Sequence, residues 1–96
     1  MTLNQWLVTK GISLEKSADL AHMIATVPFF ESPERIMSPD SWFYFPGNQR
    51  FIILGTAPNG DGIALDTIEG GENIVYIDHE RVHENIPDEE RVIWVS

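Results

Sequence analysis

Four short runs in the second half of this chain leave it few possible architectures: "RFIILG" at 50–55, "GIALD" at 62–66, "NIVYID" at 73–78 and "RVIWVS" at 91–96. Each is rich in β-branched or aliphatic residues that suit a pleated, half-buried surface, and each is bounded by turn-forming residues. Asn59-Gly60 falls between the first two runs, where tolerance of positive φ favours a hairpin. By the same logic Gly55 and Gly62 read as turn glycines. The pattern predicts a meandering, mainly antiparallel, curved sheet of about four to five strands, with Phe51, Ile53, Leu65, Tyr76 and Trp94 in its core.

The first 28 residues follow a helical period instead. Thr2 and Gln5 have the spacing of a capping box, Leu3, Trp6, Leu7 and Lys10 share one side, and Gly11 is placed to stop the segment. Ser13 can cap a second helix with Glu15 in its first turn, where a negative charge opposes the macrodipole. Leu20, Met23, Ile24 and Val27 recur at helical spacing up to Pro28, with His22 at the boundary of that stripe. Residues 29–48 hold two Ser-Pro pairs and several aromatics, which predicts short extended pieces joined by turns. Two N-terminal helices followed by such a sheet make an α+β domain. A chain of 96 residues, 43% of them hydrophobic, has enough apolar surface for one compact domain spanning 1–96, with 1–28 helical and 29–96 β-rich.

The absence of cysteine removes disulfides, thiolate metal sites and thiol catalysis. No apolar run approaches a membrane span, and the opening residues do not resemble a signal peptide, so the expected location is cytoplasmic. The formal net charge of −9 is uneven: residues 1–60 carry five acids and four bases, residues 61–96 ten acids and two bases. Such a field repels nucleic acid and anionic membrane and speeds encounter with basic partners. Trp42, Tyr44 and Phe45 have the chemistry to stack nucleobases, but no base lies between Arg35 and Arg50, and core packing is the expected role.

His79-Glu80-Arg81-Val82-His83 spells H-E-x-x-H, the pattern in which two imidazoles bind zinc and a carboxylate acts as general base. That chemistry requires a helix, because i, i+4 spacing aims both rings at one ion only there. Here the motif leaves a predicted strand, is surrounded by polar residues and meets Pro87 four positions later. A charged loop is the expectation, with no metal and no cofactor. A small zinc-dependent hydrolase using His79 and His83 as ligands and Glu80 as base is the alternative. Asn59-Gly60-Asp61-Gly62 has the look of a calcium loop, yet that alignment puts Ala57 and Ile68 at the two charged anchor positions, which excludes the mechanism. The glycines are followed by neither Lys-Ser nor a helix, so they form no phosphate cradle, and no nucleophile elbow is present.

Residues 34–96 resemble the SUKH superfamily, which includes fungal cell-wall-synthesis regulators of the Smi–Knr type and bacterial immunity proteins. The residues that carry the resemblance are the aromatic-led strand Phe51 to Gly55, the turn at Gly60-Asp61, and the strand Ile63 to Asp66. Val75-Tyr76-Ile77-Asp78-His79-Glu80 and a last hydrophobic strand with a tryptophan complete it. The N-terminal helices show neither the Leu-Pro start nor the Asn-Gly end common in that family. The resemblance implies a non-enzymatic module that binds a cognate toxin, and it accounts for His79 and Glu80 without a metal. Many such toxins are basic nucleases, which an acidic inhibitor can meet by charge. The expected contact surface is Asp61, Asp78, Glu80, Glu84, Asp88, Glu89 and Glu90. A subunit domain of a larger assembly is a further alternative.

Overall fold

In the computed structural model, which describes every residue except Glu72 and Ser96 and every described side chain except those of Glu69, Trp94 and Val95, all four apolar runs become strands. They are β1 (Phe51–Thr56), β2 (Gly62–Asp66), β3 (Asn73–Ile77) and β4 (Val92–Val95). Their spatial order is the sequence order, and all three pairings are antiparallel. The register sets Ile52 against Leu65 and Leu65 against Ile74, while Ile53, Ala64 and Val75 form the neighbouring row. Because side chains alternate between faces, these two rows point in opposite directions.

Both faces are covered, so the core is double. Ile52, Leu54 and Leu65 pack with Leu3, Leu7, Ile12, Leu20, Ile24 and Ile36 from the helices. On the other face Phe51, Ile53, Ala64, Val75 and Ile77 pack with Phe43, Phe45 and Val82. This explains why β1 is buried at five consecutive positions instead of alternating with solvent. A fully buried aliphatic such as Ile36 or Leu54 contributes about 1.5–3 kcal/mol.

The helices start and stop where the sequence places them. Helix α1 (Leu3–Thr9) begins with the reciprocal capping box, the Gln5 amide donating to Thr2 Oγ1 at 3.3 Å and the Thr2 amide to Gln5 Oε1 at 2.9 Å. It ends at Gly11, φ +93°, where the Gly11 amide donates to the Val8 carbonyl and the Ile12 amide to that of Leu7. That pair of bonds is a Schellman stop, and it folds Ile12 back onto Leu7. Helix α2 (Leu14–Thr26) is capped by Ser13, whose hydroxyl accepts from the Lys16 amide at 3.2 Å. His22 is exposed, outside the buried stripe of Leu20 and Ile24.

The stretch before the sheet differs from the extended pieces expected there. Ser32-Pro33 opens a short helix α3 (Pro33–Met37), and Ser38-Pro39 precedes a 3-10 turn at Pro39–Ser41. Proline suits the first helical position, where no amide bond is needed, and Ser32 accepts from the Arg35 amide as a cap. The Ser-Pro pairs therefore start helical turns. The glycines also separate. Gly60 lies in the β1–β2 turn at φ +96°, with its amide donating to Ala57, so Pro58 and Asn59 occupy the corners. Gly55 and Gly62 lie within strands, contrary to their expected place in turns. A Cβ on Gly62 would sit 2.8 Å from Cζ of Phe43, so that residue is fixed by close approach of a ring. Of the expected core, Phe51, Ile53 and Leu65 are buried, Tyr76 is half-buried, and the side chain of Trp94 lies outside the described residues.

Candidate partner-binding surface

Between β3 and β4 the chain must cover the second face of the sheet with a polar sequence, and it does so by seating one apolar residue. Val82 is 2% exposed and packs into the Phe43–Phe51–Ile77 cluster. Around it, residues 78–87 form successive turns, with the Arg81 amide donating to Asp78 and the Glu84 amide to Arg81. Asp78 Oδ1 accepts from the Glu80 amide at 2.9 Å, a local bond typical of aspartate outside helices. Pro87 precedes a single helical turn, α4 (Asp88–Arg91).

His79-Glu80-Arg81-Val82-His83 therefore lies on turns, and its two imidazoles have different partners. His79 Nδ1 is 2.7 Å from Asp61 Oδ1, and the His79 amide donates to the same oxygen at 3.2 Å. The His83 ring instead stacks on Tyr44, with centroids 5.6 Å apart and planes at 29°. Among the described residues, Asp61, Asp78 and His79 have ligand atoms within 4.8 Å of one another, a group that does not include His83. Within it, Asp61 accepts from His79 through Oδ1 and from Asn59 through Oδ2, and Asp78 Oδ1 accepts from the Glu80 amide. The i, i+4 arrangement needed for zinc peptidase chemistry is not formed.

The Asp61–His79 contact ties the β1–β2 turn to this loop. Burial pushes the Asp61 carboxyl up, but hydrogen bonds from the His79 ring and amide and from Asn59 outweigh it and hold the group below the usual carboxylate range. The same ring-to-carboxylate bond raises His79 above the ordinary imidazole value, with Glu80 and Asp78 adding to the effect. Gly60 packs its backbone against the imidazole, an added Cβ there lying 3.6 Å from the ring.

Besides Asp78, which is bonded to the Glu80 amide, the structure sorts the other six expected contact acids into different roles. Asp61 is 6% exposed and faces inward, so it positions the loop instead of contributing to its outer surface. Glu84 pairs with Arg81 at 3.3 Å, Asp88 with Arg91 at 2.7 Å, and Glu89 with Arg50 at 3.0 Å. The Glu89 carboxyl is held low, first by its own backbone amide and then by Arg50. Glu80 and Glu90 are exposed and have no ion pair among the described residues. Arg50 also grips Asp66 through Nε and Nη2 at 2.9 and 2.8 Å, which lowers Asp66 and raises the guanidinium. Two of these arginines lie in the acidic third itself, and Arg50 reaches it from the strand side. Part of the negative excess read from the sequence is thus neutralised within the fold.

Tyr44 is the functional candidate that sequence reasoning assigned to the core. Its neighbours Phe43 and Phe45 are buried at 7% and 5%, whereas Tyr44 is 60% exposed. Phe43 is at a bend and Tyr44 and Phe45 belong to no regular element, so no strand period announced the outward ring. The signal available in the sequence was the polar tip of the tyrosine between two phenylalanines. A separate cleft of about 220 Å³ is bordered by Trp6, Lys10, Asp40, Asn48, Gln49 and Thr67. Its Asn48 is occupied by the Arg50 and Phe51 backbone. No helix among the described residues is long and apolar enough to cross a membrane. Comparison with protein-family models, with curated proteins and with solved structures finds no match.

Proposed function

We propose that this chain is a non-enzymatic, acidic protein-binding module of the SUKH type. In that reading it is a bacterial immunity protein that binds and neutralises a cognate toxin, with a basic, nuclease-type toxin as the preferred partner. The observation that carries the proposal is the ordered acidic loop 78–90. Its apolar anchor Val82 and its Asp61–His79 tie hold it on the sheet, with Glu80 and Glu90 exposed and, among the described residues, without an ion pair. A loop held in place loses little conformational entropy on binding, which favours affinity. An excess of unpaired acids steers a cationic surface toward it and makes association sensitive to salt.

Co-expression with the toxin encoded beside the gene tests the proposal, with cell growth as the readout. Protection is expected from the wild type and should be weakened in Glu80→Lys/Glu90→Lys. Loss of growth with every neighbouring toxin, despite soluble wild-type protein, would overturn it.

A further inference from the structure

Resting on that reading, we infer that the exposed face of Tyr44, backed by His83, is the anchor point of the interface and takes an arginine side chain of the basic partner. The aromatic segment 42–45 shows why this ring is singled out. Trp42 already has the Arg35 guanidinium 5.4 Å from its centroid, and Phe45 has that of Arg91 at 5.3 Å. Phe43 is buried and sits over Gly62. Tyr44 carries no cation among the described residues. Although His83 stacks on it, Tyr44 keeps 60% of its surface exposed.

The pair is also held in place. Tyr44 is flanked by two buried phenylalanines, and His83 follows the buried Val82. A tyrosine presented this way has the properties of an interface hot spot: a large apolar body, few rotatable bonds and a polar tip. Glu80, exposed and without an ion pair among the described residues, lies on the same loop as His83 and supplies negative charge to a cation arriving there. Guanidinium is favoured over ammonium, because it is planar, stacks on rings and is more weakly hydrated. The molecule makes this contact with Arg35, Arg50 and Arg91 and, at Trp6, with Lys10 as well, so the preference for guanidinium rests on its planarity and weaker hydration.

Titration with nona-arginine and nona-lysine peptides at low salt tests the inference on wild type, Tyr44→Ala, Tyr44→Phe and Glu80→Gln/Glu90→Gln. Tyr44→Ala should weaken nona-arginine by about fivefold and nona-lysine by about twofold or less, while Tyr44→Phe stays near wild type. The charge variant should weaken both peptides alike. Thermal midpoints within a degree or two of wild type would establish that the variants are folded. If Tyr44→Ala binds nona-arginine as wild type does while the charge variant loses both peptides, the anchor is wrong and the acidic-surface reading stands. Wild-type protein that binds neither peptide also overturns the anchor. The parent reading falls only if no neighbouring toxin is neutralised.

Discussion

Replacing Gly62 with alanine is a sharp test of how the aromatic segment is mounted on the sheet. An ideal Cβ there would lie 2.8, 3.0 and 3.3 Å from Cζ, Cε2 and Cε1 of Phe43, against an ordinary carbon contact of about 3.5–4.0 Å. Phe43 is 7% exposed and packed in the same cluster as Phe45, Phe51 and Val82, so the ring has little room to retreat. Overpacking of this kind costs about 1–3 kcal/mol. In a domain of this size each kcal/mol lowers the thermal midpoint by about 4–8 °C, so a drop on the order of 10 °C is expected. Urea denaturation followed by circular dichroism supplies the free energy, and the slope with denaturant should not change. A Phe43→Leu background removes the ring atoms responsible, so the alanine should cost markedly less there, a coupling visible in the double-mutant cycle. A midpoint change under about 2 °C, or an equal penalty in both backgrounds, would refute the close approach of Phe43 to β2.

Gly60→Val should destabilise by about 1–2 kcal/mol or more, because φ +96° is strained for a β-branched residue while its Cβ meets only ordinary contact. Gly60→Asn should be milder, and equal effects would argue against a backbone cause. Asp66→Ala removes the two-pronged grip on Arg50 and the acceptor of the Ile68 amide, and should cost about 2–3 kcal/mol by chemical denaturation. The Asp61–His79 pair predicts a pH window. Asp61, lowered in the fold, adds stability above about pH 4 that is lost as pH falls through its folded value. His79, raised in the fold, adds stability that is complete below about pH 6.5 and is lost as pH rises through its folded value. Asp61→Asn should therefore lower the thermal midpoint more at pH 5.5 than at pH 9. An equal loss at both would show that the pair's charge does not contribute.

Local chemistry made much of this fold legible. Thr2, Gln5, Gly11 and Ser13 act on backbone groups within a few residues of themselves, so their capping roles follow from spacing alone. The four strands were legible because β-branched clusters between turn residues have few other uses. The Ser-Pro pairs were misread because the same dipeptide can end a helix or begin one, and the residues that follow decide which. Gly62 was misread for a different reason: nothing near it in sequence announces the ring of Phe43, 19 positions earlier, lying across it.

The sequence by itself determined the class of structure, the order of the first two helices and the four strands, and the fact that the H-E-x-x-H letters run into a proline too soon to form a long helix. It also determined the total charge. Only the tertiary structure decided that Glu89 is taken, because Arg50 reaches it across 39 positions, whereas Arg81–Glu84 and Arg91–Asp88 are local pairs three residues apart. It alone turned Asp61 inward onto His79 and Tyr44 outward onto His83. Charge and hydropathy are properties of a residue, whereas burial and pairing belong to the neighbours the fold supplies.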